Sequence, residues 1–250
     1  PAPVERINEE GACPIILLCE HASNHIPAEY DGLGLPPSDI TRHIAWDIGA
    51  AAMARRLSWL LNAPAFLGAY SRLLIDLNRP LDSMTSIPIR SEATIIPGNQ
   101  DLSPAERRRR QAMIFAPFQA AVAELLDRRA LAARSSILVA IHSFNPIFLG
   151  EPRPWHAGVL FGEAQALGRR LVEALTREPE LIVAANQPYS VSREEDYSIL
   201  VHGDDRNIPA VLIELRNDGL ATSSGVKSWV DRLAGVLLSE VARMESQASQ

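Results

Sequence analysis

Cysteine is scarce in this chain: Cys13 and Cys19 are the only two among 250 residues. Both fall in or next to one expected strand, where extended backbone holds them too far apart to bond to each other. A disulfide-stapled scaffold is excluded, and a reducing compartment is the simpler expectation. Long apolar runs are missing too; none reaches the length a bilayer crossing needs. The opening residues, PAPVERINEEGA, lack the charged-then-apolar layout of a secretory leader. A soluble, cytoplasmic protein without a membrane partner is therefore expected. Basic residues are not in excess: 24 Lys and Arg against 30 Asp and Glu leave a formal charge of −6. That balance speaks against nucleic acid as a partner, because phosphate binding needs a basic surface. It does not exclude a local cationic pocket for a small anion. There is no internal repeat, no low-complexity tract and no shift of composition that would mark a domain boundary, and no pattern bears on oligomeric state. One domain over residues 1–250 is expected, with loose ends at 1–12 and 245–250.

Short runs rich in Val, Ile and Leu read as buried strands: 14–21, 64–71, 72–78, 136–144, 156–162 and 210–218. Between most of them lie segments with apolar residues recurring at three and four. The first, 38–61, opens on Ser38. The second, 103–134, opens on Ser103, Pro104 and Glu106, a good helix start, and Pro117 should kink or divide it. Residues 163–177 and 227–246 complete the helices. Alternating strands and helices predict an α/β fold, a mostly parallel or mixed central sheet with helices on both faces. The stretch 82–104 is the longest irregular region, suited equally to a lid or to a surface excursion. The run Arg107 to Arg110 reads as a solvated helical face.

In an open α/β sheet, ligands bind beyond the carboxyl ends of the strands. Four polar clusters sit at such ends: Glu20-His21, Asp76-Asn78-Arg79, His142-Ser143-Asn145 and Glu214-Arg216-Asn217-Asp218. Any one of them would pass as a solvated strand terminus. Together they hold two imidazoles, a carboxylate suited to proton transfer and cations suited to an anionic substrate. Imidazole and carboxylate ligands suit a catalytic zinc, whose open position takes water. Glu214 stands in an otherwise buried strand, where a carboxylate is costly unless paired.

The segments HASNHIP, RHIAWDIGA, YSRLLIDLNRP, AIHSF and IELRND resemble the N-formylglutamate amidohydrolase family, from about residue 14 to about 235. The resemblance implies a zinc-dependent hydrolase of three-layer, zinc-carboxypeptidase-like architecture, acting on a small-molecule N-acyl amino acid. The activity it implies is cleavage of an N-formyl amide on an acidic amino acid such as N-formylglutamate, as in histidine degradation. Deacylation of another N-acyl amino acid and a catalytically inactive metal- or ligand-binding relative are the alternatives. By position in the motifs, His21 and His142 are expected metal ligands. The carboxypeptidase pattern H-x-x-E reads His21-Ala-Ser-Asn24 here, so the third ligand is open: Asp47 is the first choice, Glu20 and Asn24 the weaker ones. Glu214 takes the place of the catalytic carboxylate, Arg72 that of the oxyanion-stabilising cation, and Asn78 with Arg79 that of the substrate-carboxylate clamp. His202 is a further catalytic candidate, His43 a neighbour of Asp47. A Cys19-His21 nucleophile is a poor dyad, since neighbours in a strand point apart.

Overall fold

A computed structural model describes residues 1–248 of the chain. The strands of the central sheet are β1 (Val4–Ile7), β2 (Ile15–Cys19), β3 (Ala65–Gly68), β4 (Ile137–Phe144), β5 (Ala157–Leu160), β6 (Val183–Ala185) and β7 (Ala210–Arg216). The principal helices are α1 (Ala50–Leu61), α2 (Pro104–Arg110), α3 (Ala116–Leu131), α4 (Gln165–Leu175) and α5 (Ser223–Ala248). The seven strands form one sheet in the order β1-β3-β2-β4-β7-β5-β6. Its centre, β3-β2-β4-β7, is parallel, while β1 runs antiparallel to β3 and β5 antiparallel to β7.

The central strands read as unbroken apolar runs because both faces of the sheet are covered; every residue of β2 and β4 is buried. Ile15, Leu17, Val139, Ile141 and Ile213 face α1, α4 and α5, meeting Leu57, Leu171 and Leu233. Their alternates Ile16, Leu18, Leu138, Ala140 and Leu212 face Phe118, Val122 and Leu125 of α3. Each such Leu or Phe removed from water stabilises the fold by about 1.5–3 kcal/mol. The α/β class and the three layers are as expected. No helix among the described residues is long and apolar enough to cross a membrane.

Several local expectations are corrected. Residues 72–78 are not a strand but a series of turns; Leu73, Leu74, Ile75 and Leu77 are buried in the α3-side core while their backbone bonds to distant segments. The helical pattern over 38–61 is broken: only Pro37–Ile40 and α1 are helical, and turns fill the interval. Pro117 lies in the first turn of α3, and a π-helical segment, Gln111–Phe115, joins α2 to α3, absorbing the missing proline donor. The first twelve residues are not a loose end, since β1 caps the sheet edge on β3. Of the expected loose end 245–250, α5 runs to Ala248, and 249–250 lie outside the described residues. Arg110 leaves the solvated arginine face: it is buried, bonded to Glu106, Leu74 O and Asn99 Oδ1, and lies 4.9 Å over the Tyr30 ring.

The break before α1 has one backbone requirement. Gly49 sits at φ +85°, and a Cβ built there would lie 2.5 Å from Leu220 Cβ. An L side chain is disfavoured in that conformation, so Gly49 fixes the turn that carries Asp47. Gly49→Ala is expected to cost about 2–4 kcal/mol, lowering the melting temperature on the order of 5–10 °C. An unchanged melt would show that the turn tolerates another conformation.

Candidate metal centre and active-site cleft

Register brings three of the predicted residues into a row. Leu18 pairs with Ala140, so Glu20, two positions on, comes level with His142; His142 in turn pairs with Glu214. By strand alternation all three share the face of Leu18, Ala140 and Leu212, the α3 side. Glu20 Oε2 lies 3.0 Å from His142 Nε2. His21 follows in the turn beyond β2, and its carbonyl accepts from Asp47 N at 2.9 Å. That single backbone bond hangs the AWDIGA turn on the end of β2.

Asp47 is the hub. Its Oδ2 lies 3.0 Å from His142 Nδ1 and 3.3 Å from His21 Nδ1, and Ser143 N donates to it at 3.3 Å. Arg72 Nη1 donates to the other oxygen, Oδ1, at 3.2 Å, and His43 Nδ1 lies 3.6 Å from it. The far nitrogen of His21, Nε2, is 2.7 Å from Asp76 Oδ1. Arg72 closes the arrangement by donating from Nη2 and Nε to Asp76 Oδ2 at 2.9 and 3.2 Å. Burial alone would raise the Asp47 and Asp76 carboxyls. The charge of His21 and the surrounding donors outweigh it and hold both well below the usual range. Burial opposes protonation of His142, but its bonds to Asp47 and Glu20 prevail and lift it well above the usual imidazole value.

Each histidine thus has one nitrogen oriented by a carboxylate, Glu20 behind His142 and Asp76 behind His21, and turns Nδ1 toward Asp47. This is how metal-ligating imidazoles are held. The ligand atoms of His21, Asp47 and His142 all lie within 4.8 Å of one another. A tetrahedral ion with bonds of about 2.0–2.2 Å separates its ligand atoms by roughly 3.3–3.6 Å, close to the two spacings at Asp47 Oδ2. The residues fit a zinc-like ion. Of the alternatives for a third ligand, Asp47 faces both Nδ1 atoms, Glu20 stands behind His142, and Asn24 is turned away to Ile40 O at 3.0 Å.

A cleft of about 360 Å³ opens over this centre, lined among others by His21, His142, Arg72, Arg79, Tyr189 and Glu214. Glu214 is 4% exposed. Its Oε1 accepts from Tyr189 Oη at 2.8 Å, while its Oε2 is buried without a partner. Burial raises its pKa above the usual carboxyl value. Arg216 pairs with Asp218, not with Glu214. Arg79 pairs with the Glu195 carboxylate at 3.0 Å and also donates to the Glu195 carbonyl. Asn78 lines the cleft, but its Oδ1 accepts from Tyr197 N and Ser198 N and its Nδ2 reaches Asp196. Residues 82–104 form a wall, with a small hairpin pairing Arg90–Ser91 to Thr94–Ile95.

One expectation does not hold in this geometry. His202 is not in the cleft: a π-helical turn, Ile199–Gly203, directs Nε2 to Gln119 Oε1 of α3 at 2.7 Å. Cys19 faces the α1 side, fully buried, and burial pushes its thiol well up, so it is no nucleophile. The residue whose importance the sequence understated is Asp76. Its signal was its place in the cluster Asp76-Asn78-Arg79 inside SRLLIDLNRP, which does not show that it would orient His21.

The sequence profile of a family of amide hydrolases matches most of the chain, residues 13–221. The chain belongs to that family, the N-formylglutamate amidohydrolases. A gene product of Agrobacterium tumefaciens has a similar structure, with TM-score 0.94 and 33% identity over 98% of this chain and 97% of that one. An N-formylglutamate amidohydrolase from Ralstonia eutropha JMP134 shares the fold, with TM-score 0.70 and 17% identity over 99% and 100% of the two chains. No curated protein sequence matches.

His202 yields a test that separates structure from chemistry. Burial, helped by Arg206, holds its imidazole down to about 4, whereas an unfolded histidine titrates near about 6.5. Between those values the unfolded chain binds a proton that the folded chain does not, so the stability of the neutral fold is lost as pH falls through this window. His202→Gln is expected to flatten the dependence of unfolding free energy on pH from about 6.5 down to 4 by as much as one proton, with catalysis retained. An unchanged slope with abolished turnover would return His202 to the active site.

Proposed function

We propose that the protein is a metal-dependent amidohydrolase, with Zn²⁺ as its ion, that removes the N-formyl group of an acidic amino acid such as N-formylglutamate. The observation that carries this reading is the convergence of His21 Nδ1, His142 Nδ1 and Asp47 Oδ2, with the far imidazole nitrogens held by Asp76 and Glu20. Family membership supplies the class of bond. When bound, the ion would act as a Lewis acid toward the amide carbonyl and bring the pKa of water toward neutrality.

The chain's own groups have separable tasks. Glu214, with one oxygen held by Tyr189 and the other unengaged, takes a proton from the attacking water and returns it to the leaving nitrogen. Its buried setting keeps bulk water from competing for that oxygen. Arg72 uses three of its N–H donors on Asp47 and Asp76. Of the five that a guanidinium carries, two remain for oxygen that gains charge as the amide is attacked. Arg79 already binds a carboxylate, that of Glu195; the substrate's α-carboxylate would replace it, beside Asn78. Holding the substrate by that remote group fixes which bond is presented to the centre. The soluble partner is thus a small N-acyl amino acid, and a cytoplasmic setting suits a protein with free, buried cysteines.

The test is turnover of a panel of N-formyl and N-acetyl amino acids by metal-analysed protein. Chelation is expected to abolish turnover and added zinc to restore it. Glu214→Gln should lower kcat by about 10²–10⁴ with metal content unchanged. Preference for an acetyl over a formyl substrate would move the acyl group. Full activity after complete removal of metal would refute the reading.

A further inference from the structure

Four arginines line the cleft: Arg72, Arg79, Arg90 and Arg153. Two are engaged by acids, Arg72 by Asp47 and Asp76 and Arg79 by Glu195. Arg90 is exposed on the hairpin at the rim. Arg153 differs from all of them. It is half-buried, and among the described residues no carboxylate pairs with it. Its guanidinium carbon lies 4.3 Å from the centre of the Phe148 ring and 5.8 Å from that of Phe144. Phe144 ends β4 two positions beyond His142, so it stands on the same face of the sheet as that ligand. The backbone beneath Arg153 is pinned on both sides: its N–H donates to Pro146 O at 2.8 Å, and its carbonyl accepts from Arg216 Nη1 at 3.4 Å. The side chain is therefore a stacked, pre-oriented cation on the wall next to the reacting centre. Burial opposes its charge, and Glu214 is the foremost of the acids that favour it.

A half-buried cation that forms no ion pair is better stabilised when a ligand supplies a carboxylate for it to pair with. A planar guanidinium stacked on an aromatic ring presents its fork with little ordering left to do, the geometry that suits a carboxylate. We propose that Arg153 is the specificity residue of this site, and that it reads a second carboxylate, on the side chain of an N-acyl dicarboxylic amino acid. This rests on the amidohydrolase reading, in which Arg79 takes the α-carboxylate. A monoacid would satisfy one of the two arginines and leave Arg153 buried further without a partner. A diacid matches both. The same wall has apolar character through Phe144 and Phe148; a site built for an apolar side chain is the competing outcome, and it would show no preference for glutamate over glutamine.

The experiment compares N-formyl-L-glutamate with its neutral counterpart N-formyl-L-glutamine, in metal-loaded wild type and in R153M, R153K and R90M. Wild type is expected to favour glutamate. In R153M the glutamate-to-glutamine ratio of kcat/KM should fall about 10- to 100-fold, through KM more than kcat. R153K should recover only part of the ratio, because an ammonium lacks the fork. A ratio unchanged in R153M, a ratio lost in R90M instead, or a wild type that favours glutamine would overturn the proposal. Calorimetric binding of the products L-glutamate and L-glutamine to the same variants reads the same discrimination without turnover. Selective glutamate binding lost in R153M supports the role of Arg153 even if no N-acyl substrate is cleaved, an outcome that would sink the amidohydrolase reading alone. Equal binding of the two products to wild type sinks the Arg153 proposal even if the amide is cleaved.

Discussion

Four carboxylates are buried at the carboxyl edge of one sheet, and the rest of the site depends on how their charge is met. Glu20, Asp47, Asp76 and Glu214 are each less than 5% exposed. Leaving ionised carboxylates in such a place without compensation costs several kcal/mol apiece. Arg72 offsets part of this by bridging Asp47 and Asp76. The imidazoles of His21 and His142 each lie between two of the acids and meet their oxygens through ring nitrogens. Glu214 is the exception, held by the Tyr189 hydroxyl and not by a ring nitrogen or a guanidinium, with its pKa raised by burial. A cluster with this surplus of negative charge favours a cation at its centre, and the two Nδ1 atoms with Asp47 Oδ2 mark where it would be held. The same surplus explains why the oriented groups are carboxylates: they make the imidazoles better donors while fixing their rings.

That electrostatic arrangement is possible only because the backbone delivers its members from separate parts of the chain. Glu20, His142 and Glu214 come from adjacent parallel strands in matched register. A slip by one residue would turn a side chain to the opposite face. Asp47 comes from the turn that Gly49 permits, hung on His21 O. Asp76 comes from the turns at 72–78, tied down by Asp76 N to Ser86 O at 2.7 Å and by Arg72 N to Ala45 O at 3.2 Å. The extensive burial around the sheet is thus what makes short, directional contacts at its edge affordable, since a rigid core holds each strand end in place.

The strand ends were legible in the sequence because β2, β4 and β7 are continuous apolar runs that stop abruptly at polar residues. His21, His142, Asp47 and Glu214 could be placed near one another on that basis together with the family motifs. Residues 72–78 misled for the same reason: LLI looks like a buried strand, and a short apolar run does not reveal whether its backbone bonds to a ladder or to distant loops. The helical pattern over 38–61 concealed a turn whose cause, the positive φ of Gly49, is a backbone property. Glu20 and Asp76 were visible as residues but not as orienting groups, because those roles depend on partners 122 and 55 positions away. His202 was misread because a π-helical turn, not strand alternation, sets its direction.

The division of labour within the cleft follows from the same architecture. Groups that must hold sub-ångström relations to one another, the two histidines with Asp47 and Glu214, stand on strand ends or on turns bonded directly to them. The arginines farther from the centre stand on connections: Arg79 beside the 195–198 segment, Arg90 on the hairpin at the rim, and Arg153 next to a second hairpin that pairs Ile147–Phe148 with Glu151–Pro152. Loops tolerate replacement far better than a buried register does. Substitutions on these connections can therefore reshape the cleft without disturbing the centre, whereas the central set cannot change one member without stranding a buried charge. Under the proposed amidohydrolase reading, family membership bears most directly on the bond that is broken, and the arginines of the cleft bear on the molecule that carries it.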